Sequence, residues 1–333
     1  MYPFVEKFFH YAFIQGNKKF PSIYNFLYQK TRNDNAASAI LKKSNLIGIH
    51  RVQRLIEEEK PSVIVCTCPA AAGAVSILKK LYSIDIPAVT VITDHTVHSY
   101  WIYPHIETYV VGSEDVRQGL LKLGIDNSYI HVTGIPISPK FSRHHQRQTL
   151  KKKHGMSEGL PVILVTGGGL GIIGNNGAAL KKIDALPLDF QLILVCGHNK
   201  RLYQQVQQQT LHLKHRVLLT QYVDYMDELM AISDMMITKA GGLTISEGLA
   251  MRLPMLLYKP LGGQELDNVH YLLKNNTALL AENEDDLCHK VVQMLTHQYL
   301  LEALRNNMQK YQRQTAVFDA VKVIQSTVNV NKR

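Results

Sequence analysis

The residues with the clearest chemistry lie in one stretch, Met236-Ile-Thr-Lys-Ala-Gly-Gly-Leu-Thr-Ile-Ser-Glu-Gly-Leu-Ala-Met-Arg-Leu-Pro-Met-Leu-Leu-Tyr258. Apolar and β-branched residues over Met235–Thr238 read as a strand covered on both faces. Gly241 and Gly242 permit a tight turn and close approach of a ligand to the backbone. Thr244 and Ser246 fall in the first turn of the helix expected next. The N–H groups and positive dipole end of that turn suit a diphosphate. Glu247 follows Leu243 by one turn, where a carboxylate can accept two hydrogen bonds from a vicinal diol such as a ribose. A second strand, Met255–Tyr258, leads into Lys259-Pro-Leu-Gly-Gly-Gln-Glu-Leu-Asp-Asn268. There Gln264 and Asn268 are four apart and share one helix face. Two polar loops thus follow two neighbouring strands, at the carboxyl edge where open α/β sheets bind ligands.

Other groups are weaker by themselves. Gly167-Gly-Gly-Leu-Gly171 follows a strand expected over Pro161–Thr166, and its N–H groups can approach an anion. Asp94 ends a strand expected over Pro87–Thr93; a carboxylate there serves either as a general base or as a cap. His95 and His98 read as loop histidines. Trp101, the only tryptophan, is either a platform for an acceptor or part of the core. Cys66 and Cys68 flank Thr67 in a strand, face opposite sides and make poor co-ligands for a metal. Four cysteines in 333 residues fit a reducing cytosol. No paired-carboxylate metal motif stands out, so helix ends are expected to do a cation's work, with neither metal nor cofactor.

The elements that must position these groups alternate regularly. Strands are expected at Val63–Cys66, Pro87–Thr93, Thr108–Gly112 and Ile130–Thr133. More follow at Pro161–Thr166, Gln191–Gly197, Val217–Thr220, Met235–Thr238, Met255–Tyr258 and Ala278–Ala281, with helical patterns between them. That order predicts parallel sheets with right-handed crossovers. A single helical pattern runs from residue 36 to about Lys60. Gly134-Ile-Pro-Ile-Ser-Pro139 and the basic stretch after it read as a domain boundary. A length of 333 residues favours two domains, here 1–140 and 141–333.

The formal net charge is +10 and the pI about 9.3, which implies an anionic partner. No nucleic-acid-binding fingerprint accompanies the charge, so nucleic acid is not expected and an anionic membrane surface is. Residues 1–32 hold Phe8, Phe9 and many further aromatics together with Lys7, Lys18, Lys19, Lys30 and Arg32. Such helices either lie in a headgroup interface or pack under the first domain. No apolar run reaches the roughly 18–20 residues needed to span a bilayer. The first residues lack a basic n-region followed by an apolar core, so no signal peptide is expected. The expected location is cytoplasmic, peripheral to the inner face of the cell membrane.

The combination of Gly-Gly, an internal Glu and a Gly-Gln-Glu-x-x-Asn loop resembles the donor-sugar site of one glycosyltransferase family. It includes monogalactosyldiacylglycerol synthase and the bacterial processive diacylglycerol glucosyltransferase, and is related to the lipid II-forming N-acetylglucosaminyltransferase. The resemblance implies α/β architecture of the GT-B type, two Rossmann-like domains facing across a cleft. The first would take a lipid acceptor and the second a UDP-sugar. It implies that the Val223 backbone reads uracil, that Gly169, Gly241, Gly242 and Thr244 meet phosphate, and that Glu247 holds ribose. Gln264, Glu265 and Asn268 would meet the hexose. Asp94 matches a Thr-Asp of the family, and Phe8, Phe9, Lys18, Lys19 and Trp101 fall on the acceptor and membrane side. The implied activity moves glucose or galactose to a membrane lipid such as diacylglycerol. The alternatives are N-acetylhexosamine transfer to a polyprenyl-linked acceptor, or a nucleotide-sugar-binding pseudoenzyme or fragment. The family's opening strand and Gly-rich loop ending in Gly-His have no counterpart here, so these residues are expected to bind the donor but transfer weakly.

Overall fold

The computed structural model describes residues 21–43, 45, 49–167 and 177–330. By contact the chain divides into two compact units. Residues up to Ile137, Leu261–Asn268 and those from Thr315 form the first; Ser138–Pro260 and Val269–Gln314 form the second. The first break falls close to the boundary read from the proline-rich segment. A linear division does not contain the two later segments, which join the first unit through side chains described below.

The first unit is built on β1 (Ile64–Cys66), β2 (Ala88–Val91), β3 (Thr108–Val111) and β4 (Ile130–Val132), all parallel and in that order. Every residue of β2 and β3 is buried, because helices cover both faces. On one face Ala88, Ile92, Tyr109 and Val111 pack against Ala72, Val75, Val116 and Leu120, from helices Pro69–Tyr82 and Glu114–Lys122. On the other, Val89, Val91 and Val110 meet Ala320, Val323 and Ile324 of helix Ala316–Val330. That apolar stripe is why the end of the chain belongs to the first unit. Ser113 caps helix Glu114–Lys122 by accepting the Val116 N–H, with Glu114 and Asp115 in its first turn.

The helical pattern expected over 36–60 is two helices, Ala36–Lys43 and Ile49–Glu59. Asn45 lies between them. Its amide donates to the Tyr103 hydroxyl at 2.7 Å and accepts from the Tyr100 hydroxyl at 2.5 Å. Asn is a poor interior helix residue because such bonds compete with the helix backbone.

The second unit carries β5 (Val162–Thr166), β6 (Gln191–Val195), β7 (Arg216–Thr220), β8 (Met235–Thr238), β9 (Met255–Tyr258) and β10 (Ala278–Ala281). Their order is β10-β9-β8-β5-β6-β7, all parallel. The chain builds outward from β5 to β7, crosses back to β8 and builds the other way. This is the doubly wound Rossmann order, and its switch point lies between β5 and β8, where Val165 pairs with Ile237. Helix Gly242–Ala250 lies close on the sheet. A Cβ at Gly248 would be 2.8 Å from the Met255 sulfur, so a larger residue there would have to displace the Met255 side chain.

Candidate active site

In the second unit, β8 delivers the chain to Gly241, which caps helix Gly242–Ala250 without any side-chain hydrogen bond. Among the described residues, a Cβ built on Gly241 would meet nothing within 4 Å. The backbone there is uncrowded by them, and the first-turn N–H groups of such a helix suit an anion. Gly242 and Thr244 are half-buried. The Ser246 hydroxyl donates to the Gly242 carbonyl at 2.7 Å. Glu247 follows one turn in, and burial alone pushes its carboxyl up to about 7. No donor among the described residues offsets that loss of water, which is the condition of a carboxylate shaped for a ligand's hydroxyls.

Neighbouring strand ends complete this edge. Lys239 stands half-buried between β8 and Gly241, a cation that the sequence reading passed over although it lies two residues before the Gly-Gly turn. Val223 is half-buried just past β7. Beside it Tyr222 stacks on His198, with ring centroids 4.4 Å apart. Lys259, after β9, pairs with Glu284 at 2.6 Å, and Lys259 and Tyr258 hold the Glu284 carboxyl down at about 2. Gly169 lies outside the described residues.

The first unit builds a different site around Asp94. This carboxyl is 9% exposed, and the Trp101 indole N–H donates to its Oδ2 at 3.2 Å. Burial raises it to about 6, the indole bond opposes, and the charge of Asp267 adds to the rise. Trp101 itself is 3% exposed and lies among Tyr103, Ile106 and Tyr109. It is core and a partner of Asp94, not an open acceptor platform. Its indole needed a buried acceptor, and Asp94 supplies one. His98 accepts the Tyr100 N–H at Nδ1, 3.0 Å away, so its proton is on Nε2, which donates to the Tyr28 carbonyl at 3.0 Å. That is a structural role, and burial pulls its pKa down.

The loop expected to meet the hexose belongs to this first unit. Gly263 has φ +73, and a Cβ there would be 2.5 Å from the Tyr24 ring. Its N–H donates to Asn25 Oδ1 at 3.1 Å. Gln264, at the start of helix Gln264–Lys274, is exposed. Glu265 is half-buried, and its Oε2 accepts the Leu261 N–H at 2.6 Å. Asn268 differs from expectation. It is fully buried, and its Oδ1 accepts the His95 N–H at 3.0 Å, so its carbonyl ties the loop to the segment after β2. Asp267 beside it binds Tyr28, Arg32 and Thr96. The sequence did not join these four, and Arg32 stood out only within the aromatic and basic segment, because Tyr28 and Asp267 are 239 positions apart and no local pattern links them.

Of the residues read as membrane-facing, Phe8, Phe9, Lys18 and Lys19 lie outside the described residues. Helix Pro21–Lys30 is described, and Ile23, Phe26 and Leu27 are each more than half exposed on it. Lys30 rests 4.9 Å from the Phe26 ring centre. Among the described residues, no helix is long and apolar enough to cross a membrane, and no cluster of three or more His, Cys, Asp or Glu could hold a metal ion.

Comparison with known proteins agrees with this geometry. Residues 2–137 match the monogalactosyldiacylglycerol (MGDG) synthase family model, and residues 162–326 match the glycosyltransferase family 28 C-terminal domain. The processive diacylglycerol β-glucosyltransferase of Staphylococcus haemolyticus is 34% identical over 297 residues, 89% of this chain and 74% of that protein. The protein of the same description from Bacillus pumilus is 30% identical over 329 residues, 96% of this chain and 83% of its own length. The chain belongs to the processive diacylglycerol glucosyltransferase family. Members of this glycosyltransferase family carry two parallel-sheet α/β domains of the GT-B type, as the two units here do. Among solved structures, MurG of Acinetobacter baumannii superposes with a TM-score of 0.63 at 15% identity, over 85% of this chain and 80% of that one. The UDP-GlcNAc 2-epimerase of Neisseria meningitidis gives 0.64 at 17%, over 85% and 81%. At that identity the likeness is one of fold, which glycosyltransferases and epimerases share.

Proposed function

We propose that this chain transfers a hexose, glucose first among the possibilities, from a UDP-sugar to diacylglycerol in glycolipid synthesis. One observation carries the reading: in a chain of this family, Glu247 is half-buried and desolvated with no compensating donor among the described residues, in the helix that starts at the sheet's switch point. A ribose diol supplies the hydroxyls such a carboxylate lacks, and the uncapped N–H groups before it receive the diphosphate. Lys239, Thr244 and the Gly169 loop add to the anion side, and the Val223 backbone reads uracil. Gln264 and Glu265 orient the hexose. Asp94 in its ionised form takes the acceptor hydroxyl proton. The acceptor oxygen then bonds to the anomeric carbon while the bond from that carbon to UDP breaks, and the electron pair leaves on the diphosphate. The helix start stabilises that charge, so the reaction as proposed uses no metal or cofactor.

The exposed Ile23, Phe26 and Leu27, the adjacent Lys30 and the net charge of +10 support seating on an anionic lipid surface, at the inner face of the cell membrane. The deciding experiment supplies labelled UDP-glucose, UDP-galactose and UDP-N-acetylglucosamine to the chain with vesicles of phosphatidylglycerol and diacylglycerol. Label from UDP-glucose in glycosyldiacylglycerol is the expected product. Labelling only of an added polyprenyl phosphate, or of no lipid, would overturn the reading.

A further inference from the structure

The carboxylate of Asp267 is 4% exposed and gathers three donors from two separate stretches of the first unit. Tyr28 donates its hydroxyl to Oδ2 at 3.1 Å, Thr96 donates its hydroxyl to the same oxygen at 3.1 Å, and Arg32 pairs with Oδ1. Thr96 is two residues beyond Asp94, and the next residue after Asp267 accepts the His95 N–H. Tyr28 and Arg32 come from helix Pro21–Lys30 and the turn after it, and the Arg32 guanidinium lies 5.6 Å from the Tyr28 ring centre. Asp267 is in the first turn of helix Gln264–Lys274, where the dipole favours a negative charge. An ordinary exposed ion pair joins two groups and contributes little. This one is buried on the carboxylate side and joins two distant stretches to the loop that carries Gln264.

We propose that Asp267 is a positioning residue for sugar transfer, fixing the segment that begins at Asp94 against the helix start that presents Gln264 and Glu265. The inference rests on the reading of Asp94 as base and Gln264 as hexose contact. Asp267 acts on Asp94 in a second way, through charge. The groups facing this pair are Trp101, which bonds Asp94, and Tyr28, Arg32 and His98, which interact with Asp267, with His95 beside Asp94 and Lys42 acting on His98. Tyr28 is held neutral by burial and by the two carboxylates. Asp267 is thus the negative charge that opposes ionisation of Asp94, and Arg32 is the cation that balances Asp267. An amide at position 267 keeps the shape, removes the opposing charge and frees Arg32. Both changes favour ionised Asp94, so its titration moves to lower pH.

The test compares the full chain with Asp267→Asn. Trp101 is the only tryptophan and touches Asp94, so its fluorescence against pH reports that carboxyl without any turnover. In the wild type the transition is expected near pH 6; in Asp267→Asn it moves lower, and the acid limb of kcat moves with it. The variant lowers kcat roughly tenfold, the scale of a small misplacement of reacting groups, and leaves the affinity for UDP unchanged by calorimetry. Asp267→Glu restores part of the kcat. Tyr28→Phe removes one bond only and lowers kcat by a smaller factor, which keeps the proposal testable if the Asn variant folds poorly. An unmoved fluorescence transition overturns the proposal, as does a kcat loss matched by an equal loss of UDP affinity and thermal stability. A wild type that moves no sugar, while the transition still shifts in Asp267→Asn, overturns the functional reading and supports the hold of Asp267 on Asp94.

Discussion

Asp94 and Glu247 are two carboxyls kept protonated above the usual range by burial, and the two units bury them differently. Asp94 in the first unit has an indole donor, and its charged neighbour Asp267 is itself bound by Tyr28, Arg32 and Thr96. Glu247 has only the loss of water, with no compensating bond among the described residues. The same direction of shift therefore has two meanings. A carboxyl with its own partners has its proton affinity set by the fold, which suits a base that must titrate at a fixed pH. A carboxyl without them has its affinity set by whatever binds, which suits a ligand contact.

The largest effect expected from this difference is on turnover. Asp94→Asn is predicted to reduce kcat for glucosyl transfer by about a hundredfold or more, the usual scale for a general base. UDP affinity should not change. The same variant separates chemistry from folding. The Asp94 pKa rises from 3.8 to about 6 on folding, so its contribution to stability is present below about pH 4 and lost as pH rises through 6. Asn carries no charge, and at pH 8 Asp94→Asn should be more stable than the wild type by up to about 3 kcal/mol, from roughly 1.4 kcal/mol per pKa unit. Denaturant melts at pH 4 and pH 8 check it. A variant less stable at both would mean that the Trp101 bond outweighs the charge.

Glu247→Gln should act on the other side of the comparison. UDP affinity should fall at least about tenfold, in line with roughly 1.5–3 kcal/mol for hydrogen bonds to a charged group. Diol donors stabilise the carboxylate, so UDP binding should pull the Glu247 pKa down from about 7. Calorimetry near pH 7 in buffers of different ionisation enthalpy should then detect proton release on binding by the wild type and none by Glu247→Gln. Equal release by both would place the coupling elsewhere.

The smallest effect belongs to Gln264→Ala. Exposed at a helix start, Gln264 is free to meet sugar hydroxyls without holding the fold. The variant should leave UDP affinity intact and shrink the preference between UDP-glucose and UDP-galactose by a few fold, the scale of one polar contact to a solvated group. A loss of UDP affinity as large as that for UDP-glucose would remove Gln264 from the hexose side.

The two units also differ in how much of them was readable from the chain. The ten strands among the described residues could be placed from runs of apolar residues, and the strand–turn–helix of the second unit proposed to hold the donor was legible down to Glu247. There the functional groups follow one another within a strand, a glycine turn and a helix, so local order in sequence is local order in space. The burial of Asn268 and the choice between core and platform for Trp101 were not legible, because their environment is tertiary. A spacing of four puts Asn268 on the face of Gln264, yet only the fold decides that this face turns inward at residue 268. The break at Asn45 was hidden for the same reason: its amide serves Tyr100 and Tyr103, some 55 to 58 residues away.

By itself the sequence determined the alternation of strands and helices, the placing of Gly241, Gly242 and Glu247 on a turn and helix after β8, and the positive charge. These follow from period, turn residues and composition, which are local properties. Tertiary structure alone decided that Leu261–Asn268 and the last helix belong to the first unit, and that Asp94 bonds the Trp101 indole in the field of Asp267. Burial raises a carboxyl and brings residues 28, 94 and 267 together only after the sheet has formed. A pairing between distant positions is a property of that packing and has no local trace in the chain.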